Sequence, residues 1–289
     1  MDMTMDSAGA SSFNDSSVPS VPSVVDLHHR GNGGDGVIKA IGFDLWETLI
    51  TNPHDVTHAH KSLRLERLSR ILSTTPDAIE SAYAYVWTRC QELYWSADKD
   101  VPCRTQIEHL VEALQIDVDE PTLRELEEAY ATVAIEALPV VVQGAREVLR
   151  HLAARYKLGL ISNTGRTPGS ALRVILDRLD LSQYFTAMVF SNEHGELKPR
   201  RSIFERLRSA LDVQFNEMVF VGDNLYVDVY GAQSCGMKAI HFIPPQRGTA
   251  VAPDVDHGLT IEPDATIYDL RELLALDANG LPSASVSSS

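Results

Sequence analysis

The sequence has few cysteines, no long apolar run and a shortage of positive charge, and each absence excludes a class of protein. Its three cysteines, Cys90, Cys103 and Cys235, are too few and too scattered for a disulfide framework or a zinc site. No apolar stretch approaches the roughly 20 residues that a membrane-spanning helix needs. The 25 Lys and Arg residues face 40 Asp and Glu residues among 289, and the formal net charge of -15 disfavours broad binding of nucleic acid.

The first ten residues, MDMTMDSAGA, contain neither a basic start nor an apolar segment, which argues against a secretory signal. We therefore expect a protein of the reducing cytoplasm that binds no membrane and no nucleic acid. With 44% hydrophobic residues, the chain can bury a full core, and its length suits one large domain or two modest ones. The sequence leaves the oligomeric state open.

Between two polar tails, the chain alternates short apolar runs with helical patterns, except in one purely helical stretch. The tails, 1–36 and 278–289, are predicted to be disordered because they offer too little apolar surface to fold. The alternation in residues 37–52 and 139–277 predicts an α/β fold with a doubly wound, mostly parallel sheet, since parallel strands need crossovers on the faces of the sheet. Residues 53–138 are helical throughout, which predicts an all-α domain of four or five helices inserted after the first strand. A last helix is predicted near 266–276, and the predicted strands are 37–43, 158–161, 187–190, 218–221 and 239–242.

Polar residues follow the predicted strands at the point where each strand ends. Asp44 follows the first strand, Ser162 the second and Asp223 the fourth, while Lys198 lies a short loop beyond the third. Taken singly, such residues are more often caps, turns or surface charges. The carboxyl ends of the strands in an open parallel sheet border one crevice, however, so we expect these four side chains to converge.

In this order, the motifs resemble the haloacid dehalogenase superfamily, whose members are mostly phosphatases. The resemblance extends over about residues 37–275, and the helical stretch is similar to the cap of that family. It implies a Rossmann-like core and Mg2+-dependent hydrolysis of a small phosphorylated metabolite through an aspartyl phosphate. The matching stretches are Phe43-Asp44-Leu45-Trp46-Glu47-Thr48-Leu49, Ile161-Ser162-Asn163, Lys198-Pro199, and Val221-Gly222-Asp223-Asn224 through Asp228.

The resemblance also implies the roles of the catalytic residues. Asp44 becomes the nucleophile that attacks phosphorus. Lys198 adds positive charge against the phosphoryl oxygens, and Ser162 donates a hydrogen bond to the phosphoryl group. Thr48 braces the loop behind the nucleophile.

A metal site is implied by the same resemblance. The implied Mg2+ ligands are the carboxylates of Asp44 and Asp223 and the backbone carbonyl of Trp46, since Mg2+ prefers oxygen ligands. Asp228 and Asn224 lie behind these ligands, where a carboxylate can orient waters or Lys198. The residues expected to border the substrate at this edge are Asn163 and Trp46.

Trp46 is the departure from the family pattern. In most phosphatases of the family this position is a second Asp, which protonates the leaving group and then activates water, whereas an indole does neither. Proton transfer of this kind is typically worth about 10²–10⁴-fold in rate. Either another side chain replaces the acid, with Glu47, His54 and His194 as candidates, or the leaving group departs without a proton, or the reaction is not phosphate hydrolysis.

Two other functions therefore stay open. Dehalogenating relatives also carry an aromatic residue at this position, so Trp46 fits a metal-independent 2-haloacid dehalogenase. It also fits a weakly catalytic module that binds a phosphorylated ligand. Those dehalogenases resemble one another in a Ser-x-Asn loop where this chain has Gly222-Asp223-Asn224, and an Asp facing Asp44 with no cation between them is costly. The sequence therefore favours the phosphatase.

Substrate selection is expected to depend on the helical stretch, where the sequence is less informative. Residues 87–95 concentrate aromatic side chains around Arg89, which fits a helix–helix seam or, with Arg104 as a second candidate, a ligand for a substrate anion. Arg166, which follows Ser162 closely, is a further candidate for binding a second anionic group of the substrate. One basic helix face is predicted to be solvated and comprises Arg64, Arg67 and Arg70.

Overall fold

A computed structural model of the chain describes residues 36–245, 248, 258–276 and 280–282. The two predicted tails, 1–36 and 278–289, lie outside the described residues apart from the few positions that these ranges share with them. Within the described ranges, no helix combines the length and the apolar composition that crossing a membrane requires.

The centre of the fold is a parallel sheet of six strands. It has the order β5-β4-β1-β6-β7-β8, where strands β1 to β8 are Ala40–Phe43, Ile50–Thr51, Val140–Val141, Lys157–Ser162, Ala187–Phe190, Met218–Gly222, Lys238–Phe242 and Ala265–Ile267. All four residues of β1 are buried, as expected of a strand that helices cover on both faces. The predicted α/β fold class is confirmed.

Helices cover both faces of this sheet, and the side chains of β1 alternate between the two layers. Ile41 and Phe43 pack into the hydrophobic cluster that includes Leu149 and Leu172 on one face. Ala40 packs into the cluster that includes Leu207 on the other, as the two-residue period of a strand requires. Helices α1 to α10 are His54–Ile71, Pro76–Leu93, Cys103–Ala113, Glu120–Ala131, Val133–Glu136, Ala145–Ala153, Gly169–Arg178, Ser191–His194, Arg201–Leu211 and Gly231–Cys235.

The C-terminal part differs from the helix that the sequence predicts near 266–276. Residues Ala265–Ile267 form β8, which pairs in parallel with β7, and a 3₁₀ helix follows at Leu270–Ala275. The β-branched side chains of Thr266 and Ile267 favour the extended backbone, and Ile267 is fully buried at the sheet edge. The predicted helix is therefore wrong over its first residues.

The helices α1 to α5, here named the helical insert (residues 54–136), lie between β2 and β3, which pair antiparallel. The insert has a hydrophobic core of its own, which includes Leu68, Val86, Ile107 and Leu126. Thr75 caps the start of α2 by accepting a hydrogen bond from the Ala78 N–H, the role that its sequence position predicts. This hydrophobic core is separate from the two clusters that cover the faces of the sheet.

A loop of the insert docks on the segment that precedes Lys198. The Asp100 N–H donates to the Gly195 carbonyl at 3.1 Å, and the Leu197 N–H donates to the Asp98 carbonyl at 2.8 Å. These bonds tie the insert directly to a chain segment that carries a predicted catalytic residue.

Candidate active site

The first predicted site residue, Asp44, directly follows the central strand β1. Its N–H donates to the Val221 carbonyl at 2.9 Å, which continues the pairing of β1 with β6 by one residue. Glu47 has a left-handed backbone (φ 61°), and its N–H donates to the Ile50 carbonyl at 2.7 Å. The chain turns back at this point, and the Thr48 hydroxyl donates to Asp44 Oδ2 at 3.0 Å. Thr48 thus orients the buried carboxylate from behind.

Lys198 lies at the centre of the site. Its Nζ is 2.6 Å from Asp44 Oδ1 and 2.6 Å from Asp228 Oδ1, and its side chain is 1% exposed. Asn163 fixes the backbone of this lysine on both sides, since its Oδ1 accepts the Lys198 N–H at 2.9 Å and its Nδ2 donates to the Lys198 carbonyl at 3.2 Å. The Asn163 amide is therefore committed to positioning the lysine.

Three carboxylates surround one point at this edge. Asp44, Asp223 and Asp228 are buried, and one oxygen of each lies within 4.8 Å of the others. Asp228 Oδ2 also accepts the Asn224 N–H at 3.0 Å. Gly222 makes room for this arrangement, because a Cβ there would lie 2.4 Å from Asp228 Cγ.

The charges at the site depend on one another. Burial, opposed in part by Lys198 and reinforced by Asp228, raises the pKa of Asp44 to about 6. Burial disfavours the charge on Lys198, but Asp228 and Asp44 outweigh it and raise the pKa of the lysine above its usual range. Three ionised carboxylates facing one ammonium group leave an excess of negative charge, which a divalent cation would balance. The donor set of carboxylate oxygens fits Mg2+.

The other predicted residues at the sheet edge differ in their bonding. Ser162 ends β4, and its buried hydroxyl has no hydrogen-bond partner among the described residues, so it is available to a ligand. Asn224 caps the turn after β6 by accepting the N–H groups of Tyr226 and Val227. The indole of Trp46 packs, partly buried, against the hydrophobic cluster of the sheet.

None of the three predicted substitutes for the missing acid bonds to Asp44. The Glu47 carboxylate accepts the Thr51 hydroxyl and, at 2.6 Å, the Gly248 N–H. His54 is exposed at the first position of α1. His194 Nε2 lies 2.9 Å from the Ser202 hydroxyl.

The candidate arginines are spread over the insert and the loop after β4. Arg104 forms ion pairs with Glu108 and Glu120, so its positive charge is already neutralised by neighbouring carboxylates. Arg89 is half-buried, and its Nη1 is 3.9 Å from Glu92, while its buried Nε has no partner among the described residues. Arg166 lies over two aromatic rings of the insert, at 5.7 Å from Tyr83 and 5.2 Å from Trp87.

The prediction that Arg64 lies on a solvated helix face is wrong. It is only 7% exposed, and its Nε donates to the Tyr130 carbonyl at 3.2 Å. A signal was present in the sequence, because His60, Arg64 and Leu68 share a four-residue spacing and all three are buried on one face of α1. Arg64 therefore belongs to the inner face of the insert.

Asp100 is a second residue that sequence reasoning missed. Its Oδ2 accepts the hydroxyls of Thr164, at 3.0 Å, and Ser191, and its Oδ1 accepts the Val101 N–H. These bonds hold the insert against the loop that follows Ser162. No motif marks this aspartate in the sequence, since its partners lie far away along the chain.

Comparison with known proteins gives one family and several relatives. The profile of a family described as haloacid dehalogenase-like hydrolase matches residues 38–236. A glyceraldehyde 3-phosphate phosphatase from Pyrococcus abyssi is 30% identical over 207 residues, which cover 71% of this chain and 82% of that protein. A ribulose-1,5-bisphosphate 5-phosphatase from Halopiger xanaduensis is 26% identical over a region that covers 82% of this chain and 98% of that protein.

Solved structures give the same fold. A phosphatase from Thermococcus onnurineus superposes with a TM-score of 0.53 at 25% identity, covering 82% of this chain and 96% of the other. A 2-haloacid dehalogenase from Pseudomonas syringae superposes with a TM-score of 0.59 at 23% identity, with the same two coverages. The second likeness concerns the fold alone.

Proposed function

The chain belongs to the haloacid dehalogenase-like hydrolases, and we propose that it is a Mg2+-dependent phosphatase that acts on small phosphomonoesters. The observation that carries this proposal is the buried group at the carboxyl edge of the sheet. There Lys198 bonds to both Asp44 and Asp228, and Asp223 reaches the same point. The relatives from Pyrococcus abyssi and Halopiger xanaduensis are phosphatases of small phosphorylated molecules, which supports the same class of substrate.

Asp44 acts as the nucleophile in this proposal. Its carboxylate attacks phosphorus, and the bond from phosphorus to the leaving oxygen breaks as the aspartyl phosphate forms. Water then attacks this phosphate, which releases inorganic phosphate and returns the carboxylate. Lys198 supplies positive charge against the phosphoryl oxygens, and the unpartnered Ser162 hydroxyl donates to one of them.

Mg2+ would be held by Asp44, Asp223 and the Trp46 carbonyl. Asp228 is less available as a ligand, because one of its oxygens bonds to Lys198 and the other to the Asn224 N–H. The bound ion supplies the positive charge that lets a phosphate dianion approach a carboxylate.

The leaving group receives no proton from position 46. Because Glu47 and His194 are bonded to other groups and His54 is exposed, we propose that substrates with an acidic leaving group react fastest. Aryl and acyl phosphates then exceed alkyl phosphates in rate by a wider margin than in relatives with two aspartates.

The decisive experiment measures release of p-nitrophenol from p-nitrophenyl phosphate by the purified protein, with Mg2+ or with EDTA. We expect release that needs Mg2+ and that Asp44→Asn abolishes. Equal release by the wild type and Asp44→Asn contradicts the proposal, because the nucleophile would then be dispensable.

The aromatic residue at position 46 makes dehalogenation a second candidate function. Assays on the same purified protein distinguish dehalogenation from phosphate hydrolysis. Chloride release from 2-chloropropionate that is indifferent to EDTA would favour the dehalogenase. Tight binding of phosphorylated ligands without any turnover would favour the weakly catalytic module. Asp223, buried beside Asp44, argues against a metal-independent site, since three buried carboxylates around one ammonium group favour a further cation.

A further inference from the structure

Arg64 is a buried cation with no acidic partner in the described part of the chain. Among the described residues, no carboxylate forms an ion pair with it, and its hydrogen bond goes to a neutral acceptor, the Tyr130 carbonyl. Its guanidinium carbon lies 5.3 Å from the centre of the Tyr130 ring. Burial lowers the pKa of Arg64, and Tyr83 and Tyr130 offset this only in part. Buried charges are normally paired, so the missing partner is a feature that needs an explanation.

A second arginine belongs to the same aromatic stack. The rings of Tyr83 and Tyr130 are stacked at 5.8 Å, and Arg166 lies over Tyr83 from the loop that follows β4. We name these four residues the arginine–tyrosine cluster (Arg64, Tyr83, Tyr130, Arg166). Arg166 is exposed and also forms no ion pair with a described carboxylate, whereas Arg64 is buried, so the cluster extends from the surface inward.

Two further observations indicate that a ligand completes the cluster. The Tyr83 hydroxyl oxygen is buried and has no hydrogen-bond partner among the described residues. The Tyr130 hydroxyl donates to Gln106 Oε1 at 2.7 Å, and Gln106 Nε2 donates to the Gly165 carbonyl at 3.0 Å. The cluster is thus bonded to the loop that begins at Ser162, where the reacting phosphoryl group is expected.

We propose that Arg64 and Arg166 bind a second anionic group of the substrate, so that preferred substrates carry a carboxylate or a second phosphate besides the phosphoryl group that reacts with Asp44. This inference rests on the proposed phosphatase function and deepens it. Planar guanidinium groups suit both anions, because each can donate two parallel hydrogen bonds to them. Tyr83 then donates its unpartnered hydroxyl to the same group.

The chain limits the length of such a substrate. Arg166 follows Ser162 by four residues, so their Cα atoms are at most about 14 Å apart. We therefore expect the second anionic group to lie only a few carbons from the reacting phosphate. Matched substrates of increasing length therefore measure the spacing.

The test compares kcat/KM, expressed for each reacting phosphate, for pairs of phosphomonoesters of equal carbon-chain length in which one member ends in an anionic group and the other in a neutral hydroxyl. Phosphoglycolate is paired with 2-hydroxyethyl phosphate, and 4-phosphooxybutyrate and butane-1,4-diyl bisphosphate are each paired with 4-hydroxybutyl phosphate. We expect the charged member of at least one pair to be preferred about 10- to 100-fold, the usual contribution of one hydrogen bond to a charged group. The bisphosphate and the carboxylate distinguish the two kinds of anion.

Variants assign the preference to the cluster. Arg64→Met and Arg166→Met should each remove most of this preference, because kcat/KM should fall much further for the charged member of a pair than for the neutral one. Arg70→Met is the matched control, because Arg70 lies on the same helix with its side chain 71% exposed and should leave the preference intact. Arg166→Met changes an exposed residue, so the test survives if Arg64→Met fails to fold.

The outcomes separate this inference from the proposed function. Turnover of every pair without preference for charge, or an equal loss on both members in the variants, overturns the role of the cluster and keeps the phosphatase. If no substrate is hydrolysed, calorimetric titration of Asp44→Asn with the same pairs decides. If Asp44→Asn binds the charged member more tightly and the added Arg64→Met change removes this difference, the role of the cluster is supported even though the phosphatase proposal fails. Equal binding of both members overturns the role of the cluster.

Discussion

The carboxyl edge of the sheet and the arginine–tyrosine cluster differ in whether their positive charges are paired with carboxylates. At the sheet edge, Lys198 is bonded to two carboxylates, and Asn163 and Thr48 hold the participants in place. In the cluster, the contacts that the described residues make with the two guanidinium groups come from aromatic rings and, for Arg64, from the Tyr130 carbonyl. In the first region the positive charge is already paired with carboxylates of the protein, whereas in the second it is available to an anionic ligand.

This difference suggests a division of labour between two layers. The sheet edge is built from strand ends whose register is fixed by pairing, which suits groups that must meet a reacting phosphorus with little error. The insert has a separate hydrophobic core, so the contacts that we propose between its side chains and a substrate can change without disturbing the strands. Changes at the edge should therefore affect all substrates alike, and changes in the cluster should affect only some.

The strongest test of this division is Lys198→Met. Removing the cation leaves Asp44 and Asp228 facing each other while buried, so we expect kcat/KM to fall about 10²–10³-fold for every phosphomonoester. The ratio between charged and neutral members of a substrate pair should stay unchanged. Lys39→Met, at a lysine that is 58% exposed, is the control and should retain full activity. A shifted ratio in Lys198→Met would show that the two regions are not separable.

Trp46→Asp should sharpen the comparison within the sheet edge. A carboxyl at this position restores a proton donor, so alkyl phosphates should gain up to about 10²-fold relative to p-nitrophenyl phosphate, whose leaving group needs no proton. Taking the ratio of the two rates cancels any loss of folded protein from removing a partly buried indole. Trp46→Asn is the matched control, because an amide fills the same space without donating a proton in catalysis. An identical ratio in both variants would mean that another side chain already protonates the leaving group.

The smallest effect concerns the pH dependence of stability without metal. The pKa of Asp44 is raised from 3.8 to about 6 in the folded state, so the folded protein binds a proton between these values that the unfolded chain has lost. The contribution of this group to stability is therefore present below about pH 4 and is lost as the pH rises through 6. In EDTA at pH 8, Asp44→Asn should raise the Tm by a few degrees, and at pH 4 the gain should vanish. Thermal melts at both pH values measure this, with the exposed Glu125→Gln as a control that should show no such difference.

The sequence predicts the sheet better than it predicts the insert, for a physical reason. A buried parallel strand is a local apolar run, and the residue directly after it must lie at the sheet edge, so Asp44 and Asp223 can be placed together without coordinates. The burial of Arg64 depends on Tyr83 and Tyr130 from two other helices, and no local pattern encodes that packing. The four-residue spacing from His60 to Leu68 is the one local clue.

Strand β8 is a second element that local sequence patterns do not predict. A three-residue strand is too short for periodicity to distinguish it from a helical turn, so pairing with β7 decides its conformation. The bonds of Asp100 are a further case, since its partners Ser191 and Thr164 are distant in sequence. Such contacts become visible only when the chain has folded.

Gly222 has a consequence for how this enzyme can change. Its backbone is not left-handed, so the position requires the absence of a side chain, not conformational freedom. Even a methyl group would push away the carboxylate that steadies the lysine. A library randomised at this codon and selected for turnover should return glycine alone. Substitutions should therefore accumulate in the helical insert and not at this position.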